Sequence, residues 1–349
     1  MINSIQYLRG LAALVVVLYH ASKALIIHFL PTETNYFFWG AAGVDLFFII
    51  SGFIMVYITY DKNIDIKNFF LKRAIRIYPI FWFYATLALI IFLINPDMIN
   101  RSANLPTLVL PSYLLIPYTE FTNLVQVAWT LVYEIHFYLI FAFSLILSNK
   151  YRYICAGLIL SIAALSSLFD YEYYYLKYIT NPIILEFLLG MIVYFIIFKR
   201  EDKLTLITLS FLLIASTLFL LNNESLPERV LYYGVPSFAL TLIILYMDSI
   251  KLIGNGNSKI SKILKSLGDS SYSLYLSHIF CIGVGVFVFN KLHIINNFTC
   301  QILIFSLAIG CILWGFISYR FIENPLINKL NRLFFKPKKS KTQLNDSII

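Results

Sequence analysis

Residues 5–30 read IQYLRGLAALVVVLYHASKALIIHFL, and this run decides the fold. It exceeds the roughly 20 apolar residues that a helix needs to cross a hydrocarbon core, yet it contains Arg9 and His20. An arginine at the centre of such a helix costs roughly 2.5–3.5 kcal/mol on insertion scales, so intramembrane polar groups call for an explanation. Arg9 and His20 lie eleven positions apart. At about 100° and about 1.5 Å per residue they share nearly one helix face and stand roughly 16 Å apart. A single stripe therefore offers a cation near one membrane surface and an imidazole deep on the same side, two ends of a site for a long ligand.

Composition extends this reading to the whole chain. Hydrophobic residues make up 60% of it and charged residues 13%, with a mean hydropathy of +0.78. Soluble domains carry about 25% charged residues, so an all-α, polytopic integral membrane protein is expected. Spanning runs recur at 5–30, 37–60, 78–95, 125–148, 151–169, 182–198, 204–222, 231–249, 271–290 and 297–321, about ten in all. No strand-like alternation supports a membrane barrel. Residues 1–330 read as one membrane domain and 331–349 as a basic tail, without internal repeats. The first run lacks a preceding basic stretch and a small-x-small cleavage site, so it reads as a retained helix and not a signal peptide. Cys155, Cys281, Cys300 and Cys311 lie in apolar runs without C-x-x-C spacing and read as packing residues.

With the amino terminus placed in the cytoplasm, 22 of the 27 basic residues fall on the cytoplasmic side; Lys23, Arg101, Lys177, Arg229 and Lys291 are the exceptions. Such asymmetry sets orientation and predicts both termini inside. It also accounts for the net charge of +9 without nucleic acid as a partner.

Other polar residues interrupt the spans. Asp45 lies in FFWGAAGVDLFFIISGFIMVYITY, among Gly40, Gly43, Ser51 and Gly52, which permit close helix contact. It reads either as a hydrogen-bond anchor or as a group beside the reacting atoms. Glu134, in VAWTLVYEIHFYLIFAF, either satisfies a neighbouring basic group or joins the chemistry; His136 points to another face, and Trp129 reads as an anchor or packing residue. Ser271, Tyr275 and His278 in GDSSYSLYLSHIF fall at i, i+4 and i+7, one stripe that either lines a cavity or forms a polar seam. Gly268 and Asp269 mark a helix start there, with Asp269 or Ser270 as its cap. In FFLKRAIRIYPIFW, Arg73 and Arg76 are neighbours on one face beside Lys72. Paired arginines suit phosphate recognition, although a cytoplasmic cluster can simply obey the positive-inside rule or touch anionic membrane lipids. No metal-binding spacing such as H-E-x-x-H occurs, and no metal is expected.

Six segments now form a pattern. LRGLAALVVVLYH, GVDLFFIISGF, KRAIRIYP, WTLVYE, SYSLYLSH and IENP, in that order over residues 5–325, resemble the signatures of the bacterial membrane acyltransferase-3 family. GAAGVDLFFIISGFIM and WTLVYEIHFYLIF further resemble the branch that acylates succinoglycan-type exopolysaccharides and related O-antigen O-acetyltransferases. The resemblance implies transfer of an acyl group, acetyl above all, from cytoplasmic acetyl-CoA or another acyl-CoA to a hydroxyl of a surface polysaccharide or its lipid-linked precursor. It implies no permanently bound cofactor, residence in the bacterial inner membrane, Arg9, Arg73 and Arg76 as the grip on CoA, and His20 as base or transient acyl carrier. Asp45 or Glu134 would hold the other ring nitrogen. Ile135-His136 departs from the acidic-amide pair of many members, which removes a second carboxylate there. The esterase-like domain of some relatives is not expected. The longest external loop, 96–124, is either a plain connection or a cover that selects the acceptor. A polytopic transporter is the rival reading, but the repeats and paired broken helices that mark many transporters are not evident; a membrane sensor using the basic tail is another.

Overall fold

The computed structural model describes residues 2–29, 35–99, 106–117, 122–223, 227–253, 258–294 and 299–335. These contain one isolated bridge pair, Thr107 with Thr122, and otherwise only helices and connections. The α-helices are α1 (Asn3–Phe29), α2 (Ala42–Thr59), α3 (Ile66–Ile94), α4 (Val109–Leu114), α5 (Trp129–Ser144), α6 (Asn149–Leu165) and α7 (Tyr174–Ile179). They continue with α8 (Leu185–Phe198), α9 (Lys203–Asn222), α10 (Val235–Ser249), α11 (Lys259–Asp269), α12 (Ser271–Lys291), α13 (Cys300–Ser318) and α14 (Asn324–Phe334). Ten stretches among the described residues are long and apolar enough to cross a membrane. The expected class is the one observed, and the protein is a multi-pass membrane protein. Helices serve here because each satisfies its own backbone where lipid offers no hydrogen bonds.

Several boundaries differ from the sequence reading for local reasons. The third span starts at Ile66, because the Asp65 carboxylate accepts from Lys67 N (2.9 Å) and Asn68 N (3.4 Å) and so caps the helix. The helix then runs through Pro79 to Ile94, so Arg73 and Arg76 ride on α3 itself. The sixth span begins with α7 and re-forms after Asn181 and Pro182. The last continues through a π-turn at Tyr319–Glu323 into α14.

Gly268 and Asp269 end a helix, α11, and do not start one. The Ser270 hydroxyl donates backward to the carbonyls of Ser266 (3.0 Å) and Leu267 (3.2 Å), so it does not cap α12. The missing side chain of Gly268 lets α11 lie on α1: a Cβ there would stand 2.0 Å from the Gln6 carbonyl oxygen.

α1 packs on α2, α11, α12 and α13, and α2 packs in turn on α8 and α10. The α2–α8 crossing needs its glycines. A Cβ on Gly52 would fall 2.1 Å from the Phe187 carbonyl oxygen, and one on Gly190 1.9 Å from that of Ile49. This close approach fixes the rotation of α2 and therefore where its polar residues point. Arg101, most of the lysine-rich tail from Lys336 onward, and positions 100–105 and 118–121 of the 96–124 connection lie outside the described residues.

Candidate active site

The stripe on α1 and the stripe on α12 meet at both ends. Near the start of α1, the buried Arg9 guanidinium donates to Gln6 Oε1 (3.2 Å) and to Ser271 Oγ (2.9 Å). Farther along, His20 faces His278 with ring centroids 5.1 Å apart. Ser271, Tyr275 and His278 are all buried, and the predicted face of α12 is the one turned toward α1.

A cavity of about 210 Å³ opens beside these stripes, and six of the nine candidate residues line it: Arg9, Arg73, Arg76, Glu134, Ser271 and Tyr275. Its charge balance is unusual. Among the described residues the only ion pairs are Lys199–Glu201 and Arg229–Asp45, so none of the three arginines is paired. The Arg73 guanidinium lies over the rings of Phe69 (5.9 Å) and Tyr138 (5.8 Å), with a buried Nε that lacks a hydrogen-bond partner. Glu134 is occupied by hydroxyls: Tyr138 and Ser51 (3.3 Å) both donate to its Oε1. Glu323, of the IENP segment, accepts from the backbone N (3.1 Å) and Oγ (2.6 Å) of Ser273. Buried charge without a partner is costly, and arginine binds phosphate and carboxylate groups through a fork of donors. The arrangement suits an incoming anion.

Tyr275 forms the wall between this cavity and the histidines. Its ring lines the cavity and lies 5.8 Å from His278. Its hydroxyl bonds with the Thr130 hydroxyl (2.8 Å) and donates to the Val127 carbonyl (3.0 Å), both at the start of the fourth span. Neither nitrogen of His278 has a hydrogen-bond partner of good geometry. Two imidazoles thus face one another in an apolar setting, with His278, and not a carboxylate, as the ring set against His20.

Asp45 sits elsewhere. It is fully buried and takes two hydrogen bonds from Arg229, Nη2 to Oδ2 at 2.6 Å and Nε to Oδ1 at 2.9 Å. Glu186 of α8, also fully buried, lies beside it. His136 contacts the Val132 carbonyl (2.7 Å) and the Tyr175 hydroxyl (2.7 Å), away from the cavity.

Sequence reasoning passed over Tyr138, Tyr272, Glu186 and Arg229. Tyr138 had a signal, since it is four residues from Glu134 on one face. Glu186 had one too, as the lone charge in the apolar run 183–198. Tyr272 lines the cavity and its hydroxyl donates to the Ile77 carbonyl (2.9 Å), joining α12 to α3; nothing in the pattern of α12 marked it.

An arginine-lined cavity with one tyrosine between it and a facing pair of imidazoles, inside a helical bundle with ten candidate membrane spans among the described residues, suits a membrane-embedded group-transfer enzyme. The family is given by comparison: the acyltransferase domain family matches residues 2–320, and the chain belongs to it, an acyltransferase of the acyltransferase-3 type. The chain is 29% identical over 313 residues to the exopolysaccharide production protein ExoZ of Rhizobium meliloti (strain 1021), covering 87% of this chain and 95% of that one. It is 31% identical over 287 residues to ORF330 of Acidianus two-tailed virus, named as an acetyltransferase, covering 79% and 82%. A protein of Staphylococcus aureus (strain COL) named as an O-acetyltransferase is 24% identical over 368 residues, covering 91% of this chain but 56% of that longer one. No solved structure matches.

Proposed function

We propose that this enzyme moves an acyl group, acetyl above all, from cytoplasmic acyl-CoA to a hydroxyl of a surface polysaccharide or its lipid-linked precursor, in the bacterial inner membrane with both termini inside. The observation that carries the reading is the cavity where Arg9, Arg73 and Arg76 stand without a carboxylate pair, one tyrosine away from His278 and His20. Arg73 and Arg76 are on the side where the basic residues gather, which supports a donor arriving from the cytoplasm. Pockets for whole drug-sized ligands measure about 300–1,000 Å³. A cavity of about 210 Å³ suits the acyl-bearing arm, with the nucleotide held at the surface. A polysaccharide acceptor is supported by the relative named for exopolysaccharide production.

Two routes fit the histidine pair. In the first, His20 takes the proton of the acceptor hydroxyl as its oxygen attacks the thioester carbon, the C–S bond breaks, and the proton passes to the departing thiolate. In the second, an imidazole nitrogen attacks the thioester carbon and the C–S bond breaks to release the thiolate. The acceptor hydroxyl then attacks the acyl-imidazole, the acyl C–N bond breaks to free the imidazole, and the hydroxyl proton passes by way of the facing imidazole to the thiolate. In both, the facing ring of His278 is a proton acceptor with no competing partner, and Glu134 tunes the arginine cavity through Tyr138 and Ser51. Asp45 acts through Arg229.

The test is radiolabelled acetyl transfer to polysaccharide by purified protein. Acetyl-CoA-dependent labelling separates the enzyme from a transporter. His20→Ala should insert normally and abolish the transfer; full acetylation by that variant would sink the mechanism.

A further inference from the structure

A second cavity, of about 160 Å³, shares no lining residue with the arginine cavity. It is formed by the described part of the connection after α3, the start of the fourth span, and α7. Trp129, Tyr174 and Tyr178 supply its aromatic walls, and Thr122, Asn123 and Gln126 its polar edge. The walls are held in place. Tyr178 donates from its hydroxyl to the Trp129 carbonyl (2.8 Å) and stacks on Tyr133 with centroids 4.4 Å apart and planes 16° apart. The Arg229 guanidinium lies over the Trp129 ring at 5.7 Å and is itself fixed by Asp45 and by the Ala41 carbonyl (3.0 Å).

The position is as informative as the lining. Trp129 faces this cavity, whereas the next residue, Thr130, lines the arginine cavity and holds the Tyr275 hydroxyl. The first residues of α5 therefore stand between a molecule seated here and the arginine cavity, whose wall residue Tyr275 lies against His278.

Flat aromatic faces beside a row of hydroxyl and amide groups match the two chemistries of a sugar ring. Its C–H face is apolar and packs on an aromatic plane, and its hydroxyl rim needs donors and acceptors at the edge. Leu108, Pro111, Ile116, Pro117 and Val132 complete the lining, and the amides at its edge set it apart from a pocket built for a lipid chain alone. We propose that this pocket is the subsite for a sugar unit of the acceptor, and that Asp45 and Arg229 are positioning residues that keep the Trp129 face in place. The assignment rests on the acyltransferase reading above.

The test uses purified full-length enzyme, labelled acetyl-CoA, and oligosaccharides prepared from the deacetylated surface polysaccharide of the source cells. KM is measured for each substrate in the wild type and in Trp129→Leu, Trp129→Phe and Tyr174→Ala. Trp129→Leu and Tyr174→Ala should raise the oligosaccharide KM tenfold or more while the acetyl-CoA KM moves less than twofold. Trp129→Phe, which keeps an aromatic face, should stay within about threefold for the oligosaccharide. An unchanged oligosaccharide KM in both disruptive variants overturns the subsite, as does an equal rise in both KM values. A wild-type enzyme that binds acetyl-CoA but acetylates neither these oligosaccharides nor the lipid-linked precursor refutes the acceptor class, and with it the reading on which the subsite stands.

Discussion

Replacing Arg76 with glutamine tests the arginine cavity directly. Arg76 lines it together with Arg9 and Arg73, and none of the three is in an ion pair among the described residues. If the cavity binds the donor's anionic groups, the variant loses at least one charge-assisted hydrogen bond, worth roughly 1.5–3 kcal/mol. At about 1.4 kcal/mol per decade that is a loss of about 10- to 150-fold in donor affinity. Stability should behave differently. Arg76 repels Arg9 and attracts Glu323, and both effects act across the same buried region. Removing the charge relieves one and forfeits the other, two effects of opposite sign, and the melting temperature is expected to hold. The assay is initial acetylation rate against acetyl-CoA concentration, beside a thermal melt of the same detergent-solubilised sample. A raised acetyl-CoA KM with an unchanged melt is expected. A normal KM would refute the anion-site argument, and a lowered melt with equal damage to both substrates would reduce Arg76 to a structural cation.

Three further outcomes follow from the packing. Asp45→Asn strands Arg229 beside a neutral amide; breaking a buried pair costs about 3–5 kcal/mol, and because the Arg229 side chain is 28% exposed the loss should sit at or below the low end, read as a lowered melting temperature. Gly190→Ala places a methyl group 1.9 Å from the Ile49 carbonyl oxygen and should cost at least the roughly 1–3 kcal/mol of core overpacking, whereas Gly283→Ala, with nothing within 4 Å of its Cβ, should melt like the wild type. Exchanging the 96–124 loop for that of a relative acting on another glycan should change acceptor preference with the acetyl-CoA KM retained; unchanged preference would leave the loop as a plain connection.

Relations within one helix were legible in the sequence because helical period is arithmetic. The Ser271–Tyr275–His278 stripe and the Arg9–His20 stripe needed only about 100° per residue, and both lie where that places them. The ten spans were legible because lipid admits so few polar residues. Relations between helices were not. Asp45 and Glu134 look alike on paper, each a carboxylate in an apolar run, yet Glu134 faces the arginine cavity and Asp45 faces Arg229. What separates them is the rotation of α2, set by the backbone contacts at Gly52 and Gly190. That rotation depends on residues more than a hundred positions apart, which no local pattern encodes.

The treatment of the arginines themselves divides the molecule by role. Arg229, one of the few basic residues away from the basic clusters, receives a bidentate carboxylate, a second carboxylate nearby, a backbone carbonyl and two aromatic rings. Arg9, more deeply buried, donates among the described residues to two neutral acceptors, with Glu323 and Glu134 farther off, and Arg73 keeps a buried Nε without a partner. Were all these arginines structural, Arg9, the deepest of them, would need the strongest compensation, because desolvation grows with burial. The reverse is found. The bundle gives the cation that holds a tryptophan in position a direct carboxylate pair, and keeps the three cations that line a cavity near Glu134 and Glu323 but in direct contact with neither, which is the distribution expected if a further negative charge arrives with the donor.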